Sequence, residues 1–113
     1  YDAAGLATQK EREEAAKVKL YSMLPAAQAA ELMALFDEFE AWETPESRFA
    51  HAMDNLQPLL LNDSNDGCYW REHRVSAEQV YGRQRKTALG SERLFQLADG
   101  LLQKHIKKGN LKA

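Results

Sequence analysis

Side chains suited to a β-sheet are scarce in this 113-residue chain, where Val, Ile and Thr together number seven. A sheet needs such residues to fill its pleated, half-buried faces, so a large sheet is excluded. There is one cysteine, Cys68, which leaves no internal disulfide and no multi-cysteine zinc site. It points to a reducing, cytoplasmic setting. No apolar run approaches the roughly 20 residues that cross a bilayer as a helix, so no membrane partner is expected. The formal charge is only −2, which gives no bulk electrostatic drive toward nucleic acid. The opening residues, Tyr1 to Gly5, include no initiator methionine and no basic, apolar targeting segment. A processed or truncated chain is the expectation. What is abundant is helix formers: Ala, Leu, Glu, Lys, Arg, Gln and Met supply 68 residues. With 44% hydrophobic and 28% charged residues, the composition is that of one globular all-α domain, or part of one.

Helix signals recur along the chain. Thr8 and Glu11 stand at capping-box spacing, and the segment after them carries Ala15, Val18 and Tyr21 at helical intervals. Pro25 ends that helix and opens the next, on which Leu32, Leu35, Phe36 and Phe39 form a stripe. Thr44-Pro45-Glu46 reads as a cap, a first-turn proline and an acid at the positive end of the dipole. Phe49, Ala52, Met53, Leu56 and Leu60 then make one apolar face. The Asn, Asp, Ser and Gly clustered between Asn62 and Val75 predict a long ordered loop. Ser76 and Gln79 form another capping box, and Gly90-Ser91 ends its helix and caps the last one. Lys104, Lys107 and Lys108 suit the negative end of that helix, with Gly109 as terminator. The expected helices lie near 8–23, 25–42, 44–61, 76–88 and 91–108.

Asp54 is the first candidate for chemistry. It falls in line with Ala50, Gln57 and Leu61, a second face uncharged enough to be covered. Pro58, four residues on, cannot donate to the Asp54 carbonyl and predicts a kink. A carboxylate beside a distorted turn is a credible metal ligand or general base; an ordinary surface aspartate fits the same spacing. His51, three residues before it, could face the same ion, although an exposed, solvated imidazole is the simpler reading. His73 and His105 have no partner at useful spacing. Residues 62–73 imitate a calcium loop but place His73 where a bidentate glutamate is required, which rejects it. The run Tyr69-Trp70-Arg71-Glu72-His73-Arg74 could stack a base and bind a phosphate, or be pinned to the core by its tryptophan. Arg83, Arg85 and Lys86 read as a solvated face.

The stretch from Glu43 to Leu59, ETPESRFAHAMDNLQPL, resembles the HD-domain metal-dependent phosphohydrolases, and most of all their 5′-deoxynucleotidase-like group. The segment Ala29 to Trp42 and the later Trp70-Arg71-Glu72-His73 are similar to that family as well. The resemblance implies an all-α, HD-domain-like helical bundle. In that family a histidine, a His-Asp dipeptide and a later aspartate hold a divalent metal ion, which activates water against a phosphomonoester. The later aspartate's role carries over to Asp54. No His-Asp dipeptide occurs here, since His51, His73 and His105 precede Ala, Arg and Ile. The family's H…HD segment would therefore precede Tyr1. Residues 1–113 are then expected to be the C-terminal portion of a single HD-type domain, about five helices, inactive alone. The implied substrate is a nucleotide phosphomonoester. A homo-oligomer, or association with its own N-terminal portion, is expected to cover the exposed apolar surface. The competing reading is a non-catalytic helical interaction module with a degenerate metal site.

Overall fold

The structure, a computed structural model, describes Gly5 and residues 7–113. Every regular element among the described residues is a helix, with no strand and one isolated bridge between Ser76 and Lys112. The all-α expectation is correct. The chain divides into two units, Tyr1–Glu40 and Ala41–Ala113.

The first unit holds α1, Gln9–Tyr21, and nearly all of α2, Ala26–Ala41. Lys17 is the buried residue of α1. Its Nζ lies 2.7 Å from both Asp37 Oδ1 and Glu14 Oε2, and 5.7 Å from the centre of the Phe36 ring. Asp37 first, and Glu14 second, raise its pKa above the usual lysine value. The capping box at Thr8 does not form: with ψ near 0°, its side chain makes no cap hydrogen bond. An N-cap needs extended backbone to aim its oxygen at the first-turn amides. The α2 stripe is also looser than its spacing predicts. Leu32 and Leu35 are exposed, and Ala29 is the buried residue of that helix.

In the second unit, Thr44 caps α3, Pro45–Ser64, accepting from the Ser47 amide at 3.1 Å. This helix runs through Pro58 and past the expected end at 61. The expected loop over 62–75 is therefore mostly helix: the end of α3, a tight turn, and α4, Cys68–Glu72. Schellman motifs make this possible. The Gly67 amide donates to Asn62 O at 2.7 Å and Val75 to Trp70 O at 2.9 Å, which satisfies orphan carbonyls within a few residues. The residues at the left-handed positions are Asp66 and Arg74, at φ 55° and 52°.

The helix expected over 76–88 is divided into α5, Ala77–Gln84, and α6, Thr87–Gly90. The Ser76–Gln79 capping box forms as expected. Ser91 caps α7, Glu92–Lys107, accepting from the Leu94 amide at 3.2 Å. The core joins Leu56 and Leu59 of α3 with Trp70, Val75, Val80, Ala98, Leu102 and Leu111. The apolar face expected on α3 needs correction, because Phe49, Met53 and Leu60 are exposed while Ala52, Leu56 and Leu59 are buried. Gly90 supplies the reason. A Cβ placed there would sit 2.2 Å from Arg48 O and 2.9 Å from the Ala52 Cβ. Backbone approaches that closely only over small side chains, so α3 turns its Ala52 line inward and its bulkier line outward.

Candidate functional site

Asp54 lies in the α3 turn that Pro58 leaves one hydrogen bond short. Its side chain is 61% exposed. The neighbours Ala50, Gln57 and Leu61 are exposed as well, so the covered second face predicted by the spacing is absent in this structure. The carboxylate is exposed in line with the exposed Leu61, while Phe49, Met53 and Leu60 are exposed on an adjoining face of the same helix and Leu56 and Leu59 are buried.

Arg83 of α5 is the charged neighbour, its Nη2 3.6 Å from Asp54 Oδ2. Its Nε donates to Asn55 Oδ1 at 2.9 Å, so the guanidinium is anchored beside the carboxylate rather than free in solvent. Gln84 Nε2 in turn donates to Asn55 O at 2.7 Å, and Thr87 Oγ1 donates to Gln84 Oε1 at 3.1 Å. Asn55 Nδ2 is buried without a partner among the described residues. Arg83 is exposed, as the solvated-face reading expects, and within that face it pairs with Asp54 and Asn55. Arg85 is engaged too, in a two-point pair with Glu78 at 2.8 and 3.0 Å.

His51 does not join Asp54. It is buried, contrary to the exposed reading, and its ring stacks on Trp42 at 3.7 Å with the planes 11° apart. Lys86 Nζ lies 5.9 Å from the Trp42 ring centre. Among the described residues, no three His, Cys, Asp or Glu side chains come together to hold an ion. A divalent ion needs several oxygen or nitrogen ligands in fixed geometry. One carboxylate with a guanidinium beside it does not make a complete site.

His105, which the spacing left without partners, has a partner at each ring nitrogen. It is fully buried. Its Nε2 lies 2.8 Å from Asp63 Oδ1, and its Nδ1 2.8 Å from Asn110 Nδ2. Asn110 Oδ1 accepts from Arg71 Nη1 at 2.7 Å, and an arginine only donates, so the amide nitrogen faces the imidazole. Nδ1 is therefore the acceptor and Nε2–H donates to Asp63. The clue in the sequence is Gly109-Asn110. Gly109 at φ 75° closes a Schellman motif, Asn110 N to His105 O at 2.9 Å, folding Asn110 back over the histidine five residues earlier. Trp70 packs edge-on to the same ring at 5.0 Å, which makes it a core residue, the second of its two sequence readings.

The family model for the HD domain matches residues 1–95. No curated protein matches the chain. Among solved structures it is similar to a protein of Magnetospirillum magnetotacticum MS-1, described as a predicted metal-dependent phosphohydrolase. The two share 40% identity with a TM-score of 0.87, over 94% of this chain. The chain spans 54% of the length of that protein. With the HD model running over most of its length, the helical fold and the Glu43–Leu59 segment find one explanation: the chain belongs to the HD domain family.

Proposed function

We propose that this chain is part of a metal-dependent phosphohydrolase acting on nucleotide phosphomonoesters, that Asp54 is one oxygen ligand of its divalent metal ion, and that the chain is inactive alone. The observation that carries this is the setting of Asp54, a solvent-facing carboxylate in line with the exposed Leu61, on a helix that also exposes Phe49, Met53 and Leu60 on an adjoining face. A helix that exposes so many apolar side chains is suited to being covered by protein, and a carboxylate exposed on it is suited to a ligand supplied by the covering segment. The likeness to the Magnetospirillum protein supports the reaction class. The nucleotide rests on the sequence resemblance to the 5′-deoxynucleotidase-like group. The remaining ligands would come from an H…HD segment, and the exposed face of α3 would meet that segment or a second copy of the chain.

Arg83, 3.6 Å from Asp54, favours a second reading, in which the cation has replaced the metal and the chain is an interaction module. Hydrolysis of 5′-nucleoside monophosphates with Mg²⁺, Mn²⁺ or Co²⁺ separates the two. A polypeptide joining the H…HD segment to this chain is expected to release phosphate, and residues 1–113 alone are not. No release from either protein would favour the interaction module.

A further inference from the structure

Three cations converge where the C-terminal segment crosses α4. Arg71, Arg74 and Lys112 line a recess of about 330 Å³ together with Trp70, Val75, Gly109 and Asn110, and no acidic side chain lines it. That volume is at the lower end for small-molecule sites. Lys104 and Lys108 nearby are already matched, Lys104 to Asp63 and Lys108 to Asp66, and Arg71 Nη1 itself lies 3.9 Å from Asp66 Oδ2. Arg74 and Lys112 are different, because among the described residues neither side chain has a hydrogen bond or ion pair.

The recess is also held in shape. Arg71 Nη1 donates to Asp66 O at 2.6 Å and to Asn110 Oδ1 at 2.7 Å, and Asn110 is itself locked to the buried His105. Lys112 is fixed through its backbone, its amide donating to Val75 O at 3.1 Å and its carbonyl accepting from Ala77 N at 2.7 Å. Arg74 occupies the left-handed position of a Schellman motif, φ 52°, where glycine avoids the steric cost that a side chain meets. Helix termination does not call for arginine there, and a strained residue with an unused charge facing a recess points to a ligand.

From this arrangement we infer that the recess binds a phosphoryl group, as inorganic phosphate or as a small phosphomonoester. Guanidinium groups match phosphate oxygens with paired N–H donors, and the lysine adds a point charge. The site shares no residue with Asp54 and its partners, so it stands or falls separately from the proposed hydrolase activity.

The test is titration of the ¹⁵N-labelled chain with inorganic phosphate and, separately, glycerol 3-phosphate, at ionic strength held constant with chloride. Saturable amide shifts are expected at Arg71, Arg74, Val75 and Lys112. Tighter binding of the ester identifies an organic ligand, and equal or tighter binding of phosphate identifies the free ion. Arg74→Gly and Lys112→Gln are each expected to weaken binding about tenfold, the equivalent of one charged hydrogen bond. Glycine adopts φ 52° without strain, so Arg74→Gly is expected to keep or raise Tm while losing affinity. Weakened binding then cannot be ascribed to misfolding. No saturable shift, or unchanged affinity in the double variant, would overturn the inference.

Discussion

Asp63 illustrates how one carboxylate can support a buried ring. Lys104 first, and His105 second, hold its carboxyl below the usual 3.8 through hydrogen bonds. A carboxylate with a lowered folded-state pKa binds protons more weakly than its unfolded counterpart. Its contribution to stability is therefore complete above the unfolded value near 3.8 and lost as pH falls through the lower folded value. Asp63→Ala leaves the His105 Nε2–H buried without an acceptor, at a cost of about 1–3 kcal/mol at pH 7. The difference from wild type is expected to shrink as pH falls below 3.8 toward the lowered folded value, because the wild-type protein then loses this contribution and the variant has none to lose. Urea denaturation at pH 7 and below pH 3.8 measures it. A change below about 0.5 kcal/mol at pH 7 would be that of an ordinary surface site, and would mean that Asp63 does not carry the network.

At the scale of elements, two glycines within helices are expected to respond with opposite sign. Gly90 of α6 lies against Arg48 O and Ala52, so Gly90→Ala must push α6 away from α3, at a cost on the order of 3 kcal/mol. Gly100 of α7 has nothing within 4 Å of an added Cβ. Gly100→Ala is expected to stabilise by about 0.5–1 kcal/mol through helix propensity. Thermal unfolding of both variants tests the packing, and destabilisation by both would show that Gly100 is not in open space. The same elements show what the sequence made legible. Capping residues Thr44, Ser76 and Ser91 located three helix starts because an N-cap is a local event, readable from a few neighbouring residues. Which face of α3 is buried was not readable. The choice of the Ala52 line over the Phe49–Met53–Leu60 line depends on Gly90, more than thirty residues away in sequence. The 62–75 segment reads as a loop for a different reason. Asp66 and Arg74 end helices at left-handed positions, where glycine is the signal one looks for.

At the scale of the molecule, family membership and the all-α class were readable from the Glu43–Leu59 segment and from composition, while the surroundings of Asp54 were not. Its contact with Arg83 joins separate helices and leaves no local trace in the sequence. No described helix is long and apolar enough to cross a membrane. The exposed Phe49, Met53 and Leu60 of α3 make an apolar face suited to protein contact. The isolated chain is expected to self-associate through that face, and Phe49→Glu with Leu60→Glu to shift it toward monomer in sedimentation velocity; an unchanged distribution would mean that α3 is not the contact. The central claim, that Asp54 is a metal ligand, is tested most directly by metal stoichiometry in the polypeptide that joins the H…HD segment to this chain. Asp54→Ala, compared with the parent after equilibration with Mn²⁺ and removal of free ion, is expected to lose most of its bound metal while keeping its Tm in the apo form. Equal metal content in the two proteins would contradict the assignment and leave Asp54 a surface carboxylate paired with Arg83.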